Sequence, residues 1–234
     1  YNGSVYIVWG MQDWNVDPYH AFPTHELLRQ QGINVRTIAG QWAHNYPDQP
    51  DRHSEVTSGY GAEAYPNMTR SDWAVELFPW FEYYLKGIGD EPESYVQMQR
   101  NDGRWHIEET WPPEDLSILQ VPGDGGSQRV SSTSGGFEIT LEISDGPIHI
   151  SGLPTLHTDV STGLCNGGQL FVTMKDGESG LRLGHATMDV RYRDGGYDSK
   201  STASLSSYRM LMEFNPMDVI VPSGILALQF SESG

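Results

Sequence analysis

The sequence predicts an α/β segment followed by an all-β segment. Three observations carry this. Two short apolar runs, residues 4–9 and 33–39, flank a helix-like stretch that opens with Asp17-Pro18 and stops at Gly32. A second helical pattern, with apolar and aromatic residues three and four apart, covers residues 69–86. Beyond Gly89 helical periodicity disappears, and short extended segments alternate with Gly- and Pro-containing turns. The division into residues 1–90 and 91–234 follows from that change at Glu91-Pro92.

The run at 4–9 (Ser-Val-Tyr-Ile-Val-Trp) is short, continuous and rich in β-branched and aromatic residues, which predicts a fully buried strand. Asp17 suits an N-cap and Pro18 a first helical position. Tyr19, Phe22, Leu27 and Leu28 form a partial apolar stripe, and Pro23 inside it predicts a distorted first turn or a later start. Residues 33–39 form the next strand. The loop at 45–66 is long and polar, with prolines at 47, 50 and 66, and such loops near strand ends often shape binding sites. In the helix at 69–86, Trp73, Leu77, Trp80, Phe81, Tyr84 and Leu85 read as core packing, Pro79 as a kink and Gly87 as the stop. Extended segments follow at 95–99, 105–109, 136–142, 148–153, 155–162, 169–175, 184–190, 208–213, 219–221 and 225–230, the pattern of a β-sandwich. Residues 115–136 read as an exposed polar connection.

The chain has 234 residues, is 37% hydrophobic and contains 26 Gly and 14 Pro, a globular composition rich in turns. Its 14 Lys and Arg stand against 31 Asp and Glu, a formal charge of −17 that repels nucleic acid and anionic membranes. No apolar run approaches the roughly 18 residues of a membrane helix. The one cysteine, Cys165, excludes a disulfide within the chain and reads as structural or incidental. Localisation is left open.

Asp13 follows the first strand and His44 follows the second. Parallel strands joined by a helix end on one edge, which is where open α/β sheets bind ligands. A carboxylate can there hold an imidazole in one tautomer, so that its other nitrogen takes a proton from a nucleophile. In α/β-hydrolases the order along the chain is Ser, Asp or Glu, then His. Asp13 and His44 match the last two, and no G-x-S-x-G occurs in the 234 residues. The expectation is therefore the C-terminal part of a longer hydrolase, with its nucleophile upstream of Tyr1. Trp14, Trp42 and Tyr46 flank the pair and read as pocket walls, with hydrophobic packing as the alternative for each. Asp48, Asp51 and His53 have the residue types of a metal site, but they sit on a proline-containing loop, and the reading is no metal and no cofactor. His20 and His25 read as helix-surface residues. His106, His149, His157 and His185 are scattered, without ligand spacing.

Four stretches, in order, resemble one family. Residues 9–16, Trp-Gly-Met-Gln-Asp-Trp-Asn-Val, are similar to the G-x-x-D-x-x-V acid loop of the Xaa-Pro dipeptidyl-peptidase family of serine hydrolases, which also includes cocaine esterase, α-amino-acid ester hydrolases and glutaryl acylases. Residues 41–48, Gln-Trp-Ala-His-Asn-Tyr-Pro-Asp, resemble its P-W-x-H-x-x-P-D histidine loop. Residues 80–87 resemble its W-F-D-x-x-L-K-G helix end, and residues 102–113 the W-R…W-P-P segment that opens its C-terminal domain. The set covers residues 5–113. Residues 114–234 resemble the family's jelly-roll domain through strand pattern and Asp159-Val160-Ser161-Thr162, although Ser223-Gly224-Ile225 replaces its G-H-x-x-x-L strand.

The resemblance implies the C-terminal part of an α/β-hydrolase domain followed by a jelly-roll β-sandwich. It implies Asp13 as triad acid and His44 as general base, with serine, oxyanion donors and helical cap upstream. The expected activity is hydrolysis of an amide or ester through an acyl-enzyme, with dipeptidyl-peptidase first and esterase or α-amino-acid ester hydrolase as alternative. The substrate would be a small peptide or ester, with no nucleic-acid or membrane partner; homo-oligomerisation is compatible. A rival reading is a non-catalytic β-sandwich for binding or oligomerisation, and a third is a homologue that has lost its serine. Burial of Trp105 and Trp111 against the first part would favour a structural role for them; an exposed aromatic row would favour sugar binding.

Overall fold

The computed structural model describes residues 3–13, 15–42, 44, 46–48, 70–123, 127–128, 130, 135–162, 167–194 and 198–232. Trp14, Cys165, Asp51, His53 and most of the loop expected at 45–66 lie outside the described residues. The fold is mostly β with few helices. It divides into two compact units. The first comprises Tyr1–Ser117, His149–Gly152 and Asp218–Ile220, and the second Ile118–Ile148, Leu153–Met217 and Val221–Gly234. Among the described residues no helix is long and apolar enough to cross a membrane.

In the first unit, strand β1 (Val5–Gly10) pairs in parallel with β2 (Val35–Gly40), so that Gly10 stands opposite Gly40. Helix α1 (Ala21–Gln30) makes the crossover. Its approach is a 3₁₀ turn, Pro18–His20, capped by Asp17, whose carboxylate accepts from Tyr19 N at 2.8 Å. Pro23 therefore falls in the first turn of α1, where its missing N–H has no helical acceptor to lose. The buried face of α1 is Ala21, Phe22 and His25. Leu27, expected in the apolar stripe, is exposed, and His25, expected at the surface, is buried. Gly32, at φ +73°, ends the helix in a conformation that glycine adopts without strain.

Strands β3 (Tyr95–Gln99) and β4 (Trp105–Glu108) were expected in the sandwich, but β3 pairs parallel to β2 and β4 antiparallel to β3. Short extended runs carry no record of which sheet they join. The core of this unit lies between α1 and the sheet: Met11, Phe22, Ala39, Val96, Met98 and Trp111. Trp111 packs on Phe22 with ring centroids 4.0 Å apart. Trp105 lies under the Arg70 guanidinium, 4.6 Å from the ring centroid. These contacts give both tryptophans a structural role.

Two expectations of burial fail together. Strand β1 pairs with β2 alone among the described residues, and Val5–Trp9 are only half-buried. Helix α2 (Trp73–Phe81) continues as a π-helical turn, Glu82–Lys86, which ends at Gly87 with φ +67°. Of its expected core stripe only Trp80 is buried, and Phe81 and Leu85 are exposed; outside the stripe, Val75 and Phe78 are exposed as well. Pro79 lies three residues before the π turn, where its missing N–H leaves the helical ladder incomplete. Between β1 and α2 runs a groove of about 390 Å³ lined by Tyr6, Val8, Leu77, Trp80, Tyr84 and Leu85.

The second unit holds a four-stranded antiparallel sheet ordered β5-β12-β8-β9, formed by Phe137–Glu142, Ile225–Ser231, Gln169–Asp176 and Arg182–Asp189. Strands β7 (Thr155–Ser161) and β10 (Ser207–Glu213) form an antiparallel pair. Alternation puts Met210 and Met212 inside and their neighbours out. Phe137 and Phe230, opposite one another in register, stack at 4.6 Å. Strands β6 (Ile148–Gly152) and β11 (Met217–Val221) form a third pairing, whose central residues belong to the first unit. The turn that departs from the family motif is built around Asp176. This carboxylate accepts from Ser179 N, Ser179 Oγ and Ser223 Oγ, bonds that outweigh its burial and hold it below the usual carboxylate range.

Gly40 makes room for Trp42, because a Cβ there would fall 1.8 Å from the indole. Gly40→Ala should therefore destabilise the protein by about 1–3 kcal/mol through overpacking, read as a lower urea midpoint. An unchanged midpoint would contradict this packing.

Candidate functional site

The C-terminal ends of β1 and β2 deliver two loops to the same sheet edge. The main chain ties them together: Met11 N donates to Gly40 O at 2.8 Å and Gln12 N to Trp42 O at 3.1 Å. Asp13 then folds back on its own loop, and its Oδ1 accepts from Asn15 N and Val16 N, each at 2.8 Å. Such a turn fixes the carboxylate and leaves Oδ2 for another donor. His44 Nδ1 donates to that oxygen at 2.9 Å. A carboxylate only accepts, so the proton of the bond belongs to Nδ1, and proton exchange falls to Nε2. The Asp13 side chain is 9% exposed and the His44 ring 49%, so a sheltered carboxylate holds an accessible imidazole.

Of the residues expected to wall a pocket, Trp14 lies outside the described residues. Trp42 is 1% exposed and anchors the histidine loop in the packed interior. Tyr46 is exposed and stacks on Trp73, with centroids 5.9 Å apart. Asp48, weighed as a metal ligand, instead accepts from Trp73 Nε1 at 3.0 Å. Pro47 O accepts from Arg70 N at 2.7 Å, and the buried Arg70 guanidinium donates to Asp72, Glu76 and Gln97. The histidine loop is thus fastened at its far end to the start of α2. Among the described residues no group of three or more His, Cys, Asp or Glu could hold a metal ion.

A second Asp–His cluster was not legible in the sequence. Asp218, fully buried, accepts from His106 Nε2 at 3.0 Å, His149 Nε2 at 2.6 Å, Ser151 Oγ at 3.1 Å and Trp111 Nε1 at 3.3 Å. His106 Nδ1 also donates to Glu108 at 3.0 Å. All of these residues belong to the first unit. Burial alone would push the Asp218 carboxyl up, but the bonds from His106 and His149 outweigh it and hold the group far below the usual range. The same bond to Asp218, opposed by burial and aided by Glu108, raises His106 above an ordinary imidazole. With both nitrogens on carboxylates, His106 is a fastening and not a base. His25 is another missed residue. Its Nδ1 meets Thr37 Oγ1 at 2.8 Å, Nε2 has no hydrogen-bond partner among the described residues, and desolvation lowers its pKa.

No family profile matches the chain. It is similar to two curated proteins provisionally named Xaa-Pro dipeptidyl-peptidase. The one from Bacillus anthracis is 27% identical over 111 residues, covering 47% of this chain and 15% of that protein. The one from Streptomyces avermitilis is 24% identical over 134 residues, covering 56% and 17%. In fold it is similar to an aminopeptidase from a marine-sediment Thaumarchaeota archaeon, with TM-score 0.72, 16% identity and coverage of 98% of this chain and 47% of that one. It is also similar to a CocE/NonD family hydrolase from Staphylococcus aureus, with TM-score 0.68, 11% identity and coverage of 100% and 47%. An α-amino acid ester hydrolase gives TM-score 0.64 at 16% identity, covering 97% and 48%. The chain thus spans about half the length of these solved structures and about a sixth of the curated relatives. The structural likenesses are likenesses of fold. Together with the curated relatives they support the resemblance that the four motifs carry, and these relatives and neighbours are hydrolases.

The Asp218 cluster gives a signed pH dependence. His106 stabilises the native state fully below the ordinary imidazole pKa of about 6.5, and this is lost as pH rises through its raised native value. Asp218 stabilises it fully above the ordinary carboxylate value of about 3.9, and this is lost as pH falls toward its depressed native value. The stability advantage of wild type over His106→Gln should therefore be largest near pH 5–6 and shrink toward pH 9 in urea titrations. An advantage that stays constant over that range would refute the assignment. Asp218→Ala should cost about 3–5 kcal/mol, because it strips the partner from buried donors.

Proposed function

We propose that this chain supplies the acid and the base of a serine acyl hydrolase of the Xaa-Pro dipeptidyl-peptidase type. The observation that carries the reading is the 2.9 Å contact of His44 Nδ1 with Asp13 Oδ2, at the C-terminal ends of adjacent parallel strands. His44 Nε2 takes the proton of a serine hydroxyl as that oxygen attacks the carbonyl carbon of an amide or ester. It then returns the proton to the departing amine or alcohol, leaving an acyl-enzyme. Water, deprotonated by the same nitrogen, releases the acid in a second half-reaction. Asp13 keeps Nδ1 protonated and stabilises the imidazolium formed in each half.

The serine is proposed to come from polypeptide beyond these 234 residues, which hold no G-x-S-x-G. The form of the first unit supports this. Strand β1 is apolar along its length and unpaired on one edge among the described residues, with no Lys, Pro or bulge to protect that edge. The apolar face of α2 lies open beside it. Buried parallel strands are continuous apolar runs covered on both faces, so β1 has the sequence of an interior strand. Tyr6 points the same way: its hydroxyl is buried without a hydrogen-bond partner among the described residues, and burial pushes its pKa up to about 12. The second unit is proposed to be the family's jelly roll. The substrate class is a small peptide, by the name of the curated relatives, with amino-acid esters as the alternative.

The protein carrying its natural upstream sequence should react with a fluorophosphonate probe at a serine. In it, Asp13→Asn should lower kcat by about 10⁴-fold, and His44→Ala by at least as much, with smaller changes in KM. Wild-type turnover in His44→Ala would sink the reading. Comparison of Xaa-Pro amides with amino-acid esters then decides between peptidase and esterase.

A further inference from the structure

Three glutamines stand at the C-terminal edge of three neighbouring parallel strands, next to the loops that carry Asp13 and His44. Gln12 follows β1, Gln41 follows β2 and Gln99 closes β3. Gln12 Nε2 donates to Gln41 Oε1 at 2.9 Å. Gln41 Nε2 donates to the main-chain oxygen of Gln99 at 2.7 Å, and Gln41 N donates to Gln99 Oε1 at 3.1 Å. Gln99 Nε2 reaches Gly103 O at 3.5 Å. Gln41 is 3% exposed and Gln99 4%, while Gln12 is half-buried. Long amide side chains are seldom buried this completely, and these two are used at both ends.

We propose that this ladder positions the Asp13–His44 pair, with Gln41 as its central positioning residue. Among the described residues the main-chain bonds between the loops stop at residues 12 and 42. Asp13 is oriented by its own loop through Asn15 and Val16, so its direction is only as well fixed as the loop itself. The glutamines fix that loop sideways. Gln12, one residue before the acid, is tied to Gln41, three residues before the base, and Gln41 is clamped at two points to β3. An amide bonded at both ends sets direction as well as distance, which an apolar side chain of equal volume cannot do. None of the three is a catalytic residue; they act through the pair. The ladder's importance for turnover rests on the function proposed above, but its effect on the geometry of His44 does not.

The test reads the imidazole and needs no turnover. With the imidazole neutral, ring ¹⁵N shifts distinguish the Nδ1–H from the Nε2–H tautomer, and a bond to Asp13 demands the first. Wild type is expected to hold His44 as the Nδ1–H form. Gln41→Leu and Gln12→Ala should each lower the Nδ1–H to Nε2–H ratio by about tenfold, near the factor that one net hydrogen bond represents, while thermal unfolding stays cooperative. Should Gln41→Leu not fold, Gln12→Ala decides, since it cuts the ladder at its half-buried end. A wild-type ratio retained in the folded variants would overturn the ladder and leave the acid–base reading standing. A wild-type His44 in the Nε2–H form would overturn both.

Discussion

The parallel pairing of β1 with β2, in the register that sets Gly10 opposite Gly40, is the constraint on which the rest of this site depends. Parallel neighbours need a crossover, and α1 supplies it, so the two chain exits face the same edge. From that single register follow the main-chain ties between residues 11–12 and 40–42 and the meeting of Asp13 with His44. A slip of one residue would move every side chain of β2 to the opposite face, and the close packing of Val35, Ile38 and Ala39 opposes that exchange. The acid–base geometry is in this sense a consequence of hydrophobic patterning several residues upstream of either functional group.

Much of this was legible in the sequence because it is local. Runs at 4–9 and 33–39 and the Asp17-Pro18 start each announce themselves within a few residues, and Asp13 and His44 are the first ionisable groups past the strand ends. The extended segments of the second half were legible as segments for the same reason. Their partners were not. Residues 95–99 and 105–109 have the pattern of sandwich strands, yet β3 and β4 complete the first sheet, because alternation states that a strand exists and not which edge it meets. For Trp42 the sequence leaves pocket wall and hydrophobic packing as alternatives, and the side chain lies in the interior. Its fit over Gly40 depends on a backbone approach that composition does not reveal.

The Asp218 cluster marks the limit most clearly. His106, His149 and Asp218 are separated by 43 and 69 residues, so no spacing rule gathers them. What brings them together is the need of a buried carboxylate. Once Asp218 is inside, every oxygen must be met by a donor, and two imidazoles, a hydroxyl and an indole N–H do so. Asn101 does similar work beside it. Its amide donates to Ile220 O at 2.8 Å and accepts from Ile220 N at 2.7 Å, imitating a strand partner for β11. Residues 218–220 belong to the first unit, and these polar bonds are part of what ties them to it.

The two Asp–His arrangements share a contact and differ in what remains after it is made. Asp13 spends one oxygen on its own loop and one on His44 Nδ1, and the ring it holds is half exposed. Among the described residues the Nε2 of this imidazole takes no part in the cluster. Asp218 takes the Nε2 of both its histidines, and His106 places its Nδ1 on Glu108 as well. There the proton is held from two sides, and raising the imidazole's affinity for it makes release harder. An environment that stabilises a charge on every side gives stability, whereas one that stabilises it on one side and leaves the other to solvent gives a base. By that criterion His106, although its pKa is raised, is a fastening, and the open side of the His44 imidazole suits the role proposed for the Asp13–His44 pair.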